Sequence, residues 1–419
     1  MRLNIKNIGK IESADIKLDG ITVICGENNT GKSTIGKVLF SYFNSMCDFE
    51  SKIKEQKVRE TKVSFLNYSL STRDIIGFED QFEQFLSQHN DKPSIEDITI
   101  FLNEFPGIKD KKSLLYNINL ILNTPNNDLM SEYIFRYFMD VFNGQIRNEN
   151  SGARQRGFVE TIFKNGTNKI SFYTSKCLLN QQVPIVHCAY YINSPFVIDY
   201  LNSTRWRTFL LSELDRNIID VVNSAHMEQS YDKMTDIFDA VANKDKLDEI
   251  KGLLNRAYNG RTIKKNGLYF YNDGNSDIEF RNLSTGLKSF ALIERLLQSG
   301  KLKNKDVLIL DEPEIHLHPE WQLVYAELIV LLQKTFDLTV LLVTHSFHFL
   351  EALNFFMYKY NITHRGNFYT TQQSKNGFII SETDNALQDL MKNLSEPSFK
   401  LADWKFELEM EQNNETKTD

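Results

Sequence analysis

Apolar positions along the chain alternate between two regimes, and the change of regime divides it. Residues 2–7 and 11–18 read as two strands around the turn Asn7-Ile8-Gly9-Lys10, with Ile11, Ala14, Ile16 and Leu18 in partial alternation. Ile21 to Cys25 is continuously apolar except for Thr22, the mark of a strand buried on both faces. Ile35, Val38, Leu39 and Phe43 then recur at helical spacing. From 45 to about 155 the spacing stays helical, as in Phe82, Phe85 and Leu86, then Ile95, Ile98, Phe101 and Leu102, then Leu129, Tyr133, Ile134, Tyr137 and Phe138. This predicts an insertion of several short helices whose aromatic stripes form core. No heptad repeat is sustained, which argues against a long coiled-coil arm. Arg147 to Gly157, with Arg154 and Arg156, reads as a solvated polar loop.

Strand patterning returns at Phe158–Lys164 and Lys169–Thr174, flanking Asn165-Gly166, a hairpin step. Ile185 to Ile192 reads as a further core strand, ending at Asn193-Ser194-Pro195. Residues 205 to about 258 read as a second helical block. Leu268–Tyr271 and Ile278–Phe280 form a hairpin around Asn272–Asn275. A helix follows with Phe290, Ile293, Leu296 and Leu297 on one face, and Ser284 stands where a cap belongs. Val307–Leu310 and Leu338–Val343 are short buried strands. Between them Pro319 opens a helix carrying Trp321, Val324, Tyr325, Leu328, Leu331 and Leu332. A hairpin over 366–371 and 377–381 and a helix over 384–394 complete the pattern. The tail from about Glu407, with Glu409, Glu411 and Glu415, is acidic and is expected to be disordered.

The resulting division is 1–44 and 158–200 as core, 45–157 and 201–260 as helical insertions, 261–400 as the returning core, and 401–419 as tail. Composition supports a globular chain: of 419 residues, 41% are hydrophobic and 25% charged. No apolar run nears the ~18 residues that span a bilayer, and Met1–Lys6 lacks the apolar core of a secretory signal. A cytoplasmic protein without a membrane partner is expected. The formal charge of −7 gives no global sign of nucleic-acid binding, although a local basic patch leaves it possible. Cys25, Cys47, Cys177 and Cys188 include no C-x-x-C pair, which argues against a structural zinc site or a redox dithiol.

Chemistry enters where strands end. Ile21–Cys25 runs into Gly26-Glu27-Asn28-Asn29-Thr30-Gly31-Lys32-Ser33-Thr34, the phosphate-binding pattern G-x-x-x-x-G-K-[ST] between a strand and a helix. Its glycines let backbone N–H groups turn inward around phosphate, Lys32 offers a cation to the β- and γ-phosphates, and Ser33 offers a hydroxyl to magnesium. The helix behind it adds the positive end of its dipole. Asp311 and Glu312 end the strand Val307–Leu310, and Thr344-His345-Ser346 ends the next one. Ligands of open α/β sheets collect at such carboxyl ends.

Taken in order, Gly26–Thr34, Leu283–Lys288, Leu308–Glu312 and His345 resemble the phosphate loop, signature motif, carboxylate strand and switch histidine of ABC-type ATPases. The resemblance covers roughly 1–44 and 266–350. It implies an α/β fold: a P-loop core with a mixed and mainly parallel sheet, an antiparallel β subdomain and helical insertions. Leu283-Ser284-Thr285-Gly286-Leu287-Lys288 departs from the LSGGQ of transporters, and Glu314-Ile315-His316-Leu317-His318-Pro319 departs from their usual turn. Both features look like the soluble RecF/SMC/OLD-like branch, with AAA15 or AAA21 domains. Short members resemble the antiphage-defence ATPases of Septu, PARIS and retron systems, which work with a separately encoded effector.

The resemblance implies ATP and Mg2+ as cofactors and hydrolysis as the activity. Ser33 and Asp311 would orient the metal, Glu312 would position the attacking water, and His345 would contact the γ-phosphate. Ser284, Thr285, Gly286 and Lys288 would act on ATP held by a second protomer, which implies a homodimer or higher assembly. Asn193 is the candidate for the Q-loop position. OLD enzymes carry a TOPRIM nuclease, but too little chain follows His345 for one, so a nuclease or toxin effector encoded nearby is the expected partner. The alternative is a DNA-binding repair ATPase of the RecF/SMC kind.

Overall fold

The computed structural model describes residues 1–68, 78–148, 156–202, 211–223, 244–257, 260–382 and 386–415. Its strands are β1 (Arg2–Ile8), β2 (Ile11–Lys17), β3 (Ile21–Cys25), β4 (Gly157–Phe163), β5 (Gly166–Phe172), β6 (Cys177–Asn180), β7 (Ala189–Ile192), β8 (Arg261–Lys265), β9 (Leu268–Asn272), β10 (Asp277–Glu279), β11 (Val307–Asp311), β12 (Thr339–Thr344), β13 (Gly366–Ser374) and β14 (Gly377–Glu382). Its α-helices are α1 (Lys32–Met46), α2 (Phe49–Tyr68), α3 (Phe78–Gln88), α4 (Ile95–Asn103), α5 (Lys111–Asn123), α6 (Asn126–Val141), α7 (Glu213–Asn223), α8 (Lys244–Ala257), α9 (Thr285–Gln298), α10 (Pro319–Phe336), α11 (Phe347–Lys359) and α12 (Ala386–Glu415).

An 11-stranded mixed sheet runs in the order β6-β5-β4-β1-β2-β14-β13-β3-β12-β11-β7. Strands β7, β11, β12, β3 and β13 run parallel to one another, and β7, β11, β12 and β3 carry the site at their carboxyl ends. The antiparallel strands β6, β5, β4, β1 and β2 extend this same sheet. A separate three-stranded antiparallel sheet, β10-β9-β8, includes Arg261–Lys265, whose polar sequence hid its strand character.

The parallel strands are buried on both sides, so their alternate residues feed two cores. Leu308, Leu310, Val340 and Leu342 face a layer built from α9, α10 and α11. Val307, Ile309 and Leu341 face α1 and α6. Gly36 sets the height of α1: a Cβ there would lie 2.7 Å from Tyr191 and 3.0 Å from Ile309. The predicted helical insertion divides in two. Helix α6 packs on α1 and β6, whereas α2 to α5 enclose a core of their own, in which Phe65 stacks on Phe78 at 4.0 Å between ring centres. The aromatic stripes are core, as their spacing predicts.

Two expectations are corrected. The strand expected over 185–192 is confined to Ala189–Ile192, because β11, its one strand neighbour among the described residues, begins pairing at Val307 opposite Ala189. The helix expected over 384–394 continues as α12 to Glu415, so the tail expected to be disordered is helical over 407–415. Residues 407–412 are Glu, Leu, Met and Gln, all good helix formers, and earlier in α12 Lys400 pairs with Glu396 one turn away at 2.7 Å. Of the second helical block, 203–210 and 224–243 lie outside the described residues.

Candidate active site

The loop after β3 is shaped by backbone that few residues accept. Asn29 has φ 67° and Gly31, at the start of α1, has φ 88°, both in the left-handed region. The Thr30 hydroxyl closes the loop by donating to the Glu27 carbonyl at 2.8 Å. Lys32 is almost fully buried, and its ammonium donates to the carbonyls of Gly26 at 2.9 Å and Glu27 at 2.7 Å. Burial lowers its pKa, opposed by the nearby charges of Glu312 and Asp311. The Lys32 ammonium thus lies against the carbonyls at the start of the loop, within the turn that carries it. Asn28 and Ser33 are exposed on the same loop, and Thr34 is half-buried.

Asp311 ends β11 beside this loop. Its Oδ2 accepts a 2.6 Å hydrogen bond from the hydroxyl of Tyr191 on β7, while Oδ1 is buried without a hydrogen-bond partner. Burial raises the carboxyl pKa, and the hydroxyls of Tyr191 and Ser33 pull it back. A buried carboxylate oxygen left without a donor, with a serine hydroxyl alongside, fits a hard divalent cation that takes oxygen ligands.

Glu312 follows with φ 52°, left-handed backbone in a residue that ordinarily avoids it. Its N–H donates to the Val343 carbonyl at 2.8 Å, pinning the turn to β12. Its Oε1 lies 3.2 Å from Nδ1 of His345, which stands just beyond the end of β12. Beneath them Glu314 is 2% exposed. Its Oε1 accepts from the Thr344 hydroxyl and, at 3.4 Å, from the His345 N–H, and its Oε2 is buried without a hydrogen bond.

Two cavities open on either side of Ser33 and Glu312, which line both. The larger, about 690 Å³, is bounded by Lys10, Asn29, Lys32, Arg147 and Phe378, among others. The smaller, about 170 Å³, includes Asn193, Asp311 and His316. A cleft of the larger size takes a nucleotide.

The chain matches the protein-family model described as AAA ATPase domain (AAA_15) over residues 1–350. It belongs to that family. No curated protein matches it. Among solved structures it is similar to the SMC head domain from Thermotoga maritima, at 12% identity and a TM-score of 0.40, covering 91% of this chain and 98% of that one. It is also similar to an SmcHead bound to the C-winged helix domain of ScpA, at 13% and 0.44, covering 93% and 98%. A third is an Smc head domain with an extended coiled coil bound to the C-terminal domain of ScpA, derived from Pyrococcus furiosus, at 11% and 0.42, covering 95% and 98%.

In this AAA-family ATPase the phosphate loop, Asp311, Glu312, His345 and Asn193 meet around one place. The signature residues do not join them: Ser284, Thr285, Gly286 and Lys288 line neither cavity. Ser284 is exposed and caps α9, its hydroxyl accepting from the Leu287 N–H at 3.5 Å. Gly286 lies under Trp321, where a Cβ would come within 2.7 Å of the ring. Lys288 points inward, 4% exposed, with Asp199 at 2.8 Å and the Phe196 ring 5.2 Å away. Lys288 and Gly286 are thus both buried within their own chain, Thr285 is half-buried and Ser284 is exposed.

Sequence reasoning missed Tyr191, Glu314, Lys10, Arg147 and Phe378. Arg147, which the sequence pattern puts in a solvated loop, borders the larger cavity; Arg154 lies outside the described residues. Only Glu314 carried a local signal, its place two residues after Glu312. Among the described residues no helix is long and apolar enough to cross a membrane.

Proposed function

We propose that this ATPase is a magnesium-dependent switch that closes as a head-to-head homodimer around ATP and passes its nucleotide state to a separately encoded effector. The observation that carries the reading is a separation within one chain: Lys32, Ser33 and Glu312 line the larger cleft, Asp311 lines the smaller one beside them and His345 meets Glu312, while Ser284 is exposed and lines neither cavity. One protomer then supplies the loop and carboxylates, and a second supplies Ser284, Thr285 and Gly286 to the same nucleotide.

Lys32 and the loop N–H groups hold the β- and γ-phosphates. Ser33 and Asp311 would hold Mg2+, which supplies charge neutralisation on the phosphates. Glu312 orients the attacking water, and His345 meets the γ-phosphate from the neighbouring strand end. Asn193, lining the smaller cavity beside Asp311 and Glu312, suits a residue that senses the nucleotide at the Q-loop position. Coupling of nucleotide state to dimerisation makes ATP a control on whatever the dimer binds. The defence role, with a nuclease or toxin as effector, rests on the resemblance carried by Glu314–Pro319 and by Leu283–Lys288.

Sedimentation of Glu312→Gln with and without ATP and magnesium tests the switch. A monomer that becomes a dimer with ATP, and that stays monomeric when Ser284→Arg is added, supports it. A chain of unchanged mass in all conditions sinks the shared site. Co-purification with the product of a neighbouring reading frame supports effector control, whereas ATP-stimulated, salt-sensitive DNA binding in its absence favours a RecF/SMC-like repair ATPase.

A further inference from the structure

Cys47 and Cys188 stand far apart in sequence and together in the fold. Cys47 terminates α1, the helix that begins at Lys32, and Cys188 immediately precedes β7. Their sulfurs and a carboxylate oxygen of Asp48 all lie within 4.8 Å of one another. The pair is held by a backbone clamp: the Asn44 amide donates to the Ala189 carbonyl at 2.7 Å and accepts from the Ala189 N–H at 2.9 Å. Lys52 brings its ammonium to the Asn44 carbonyl at 2.5 Å and to the Cys47 sulfur at 3.5 Å. Cys47 is buried, while Cys188 is partly open to solvent.

We propose that Cys47 and Cys188 form a dithiol site that small peroxides oxidise to an intramolecular disulfide. The lysine cation and a hydrogen bond from the Cys188 thiol both favour a thiolate at Cys47, whose pKa is lowered, first by that hydrogen bond. The partly exposed Cys188 sulfur meets the peroxide. As it attacks, its proton passes to Cys47, an S–O bond forms, the O–O bond breaks, and the hydroxide released takes up a solvent proton to leave as water. Cys47, losing its proton again beside Lys52, then attacks the Cys188 sulfur. The S–S bond forms, the S–O bond breaks, and the second hydroxide leaves as water with that proton. Two thiols and one peroxide thus give one disulfide and two waters. The bond ties the far end of the phosphate-loop helix to the strand that carries Tyr191 and leads to Asn193. Absence of a C-x-x-C pair in the sequence conceals the site, because the fold rather than the spacing creates it.

The test is graded hydrogen peroxide on the reduced full-length chain, read by mass and by non-reducing peptide mapping. The expected product is about 2 Da lighter, with the Cys47 and Cys188 peptides joined, and dithiothreitol reverses it. Cys25 and Cys177, both buried and away from the pair, serve as internal controls. They should react at least about tenfold more slowly. Cys188→Ser, at the partly exposed position, should retain the fold and lose the crosslink. The proposal is overturned if Cys188 proceeds to a sulfinic acid without joining Cys47, or if all four thiols resist equally. It is overturned too if the protein as purified holds one equivalent of zinc that protects the pair, which would make this a metal site.

Discussion

Oε1 of Glu312 and Nδ1 of His345 lie 3.2 Å apart, brought together from the ends of two adjacent parallel strands. Glu312 accepts left-handed backbone to make the meeting, and the hydrogen bond from its N–H to Val343 holds that geometry. A carboxylate so fixed is suited to orient a water. Glu312→Gln preserves the shape and removes the charge, so ATP affinity should be retained while turnover falls by about 100-fold or more. His345→Ala should reduce turnover by roughly 10- to 100-fold. Phosphate release beside equilibrium nucleotide binding separates the two effects, and normal hydrolysis by Glu312→Gln would remove Glu312 from the mechanism.

The buried, undonated Oδ1 of Asp311 leads to a metal prediction. Chelation should abolish turnover, and added magnesium should restore it. Asp311→Asn keeps an oxygen for the Tyr191 hydroxyl but discards the charge, and should lose on the order of 100-fold or more in turnover at saturating magnesium. Undiminished activity in EDTA would show that Asp311 serves only the Tyr191 contact.

Much of this was readable in the sequence, and what escaped did so for physical reasons. The loop Gly26–Thr34 is legible because its backbone geometry and its ligand chemistry reside in one continuous segment. Asp311 and His345 were placed by strand ends, which a buried apolar run marks well. Tyr191 reads simply as one apolar position of a short strand, because its hydroxyl acquires a role only when β7 is laid beside β11. Lys10, Arg147 and Phe378 reach the larger cavity from three distant segments, which no local pattern records. Helix α12 was cut short because acidic composition suggested disorder, although the same residues favour a helix.

Close packing of α1 on the sheet depends on Gly36. Adding one methyl group places a Cβ 2.7 Å from Tyr191 and 3.0 Å from Ile309, both in the buried core. Gly36→Ala should destabilise the chain by about 1–3 kcal/mol, beyond the gain that alanine brings to a helix. Since Tyr191 also holds Asp311, the displacement should weaken magnesium-dependent turnover in molecules that remain folded. Thermal unfolding and a magnesium titration of activity measure the two parts, and an unchanged melting temperature would contradict the packing argument.

Glu314 yields a prediction about pH. Burial raises its pKa above the usual 4.5, opposed by hydrogen bonds from Thr344 and His345. The folded state therefore holds this proton more tightly than the unfolded chain does. Its contribution to stability is full below the ordinary glutamate range and is lost as pH rises through the raised folded value. Glu314→Gln retains an oxygen for Thr344 and never ionises, so its stability relative to the parent chain should climb over that interval. Urea unfolding of both proteins between about pH 4 and 8 isolates the effect, because every other titrating group is common to the pair. A difference that stays constant with pH would mean that the folded chain holds the Glu314 proton no more tightly than the unfolded one, and would overturn the burial argument.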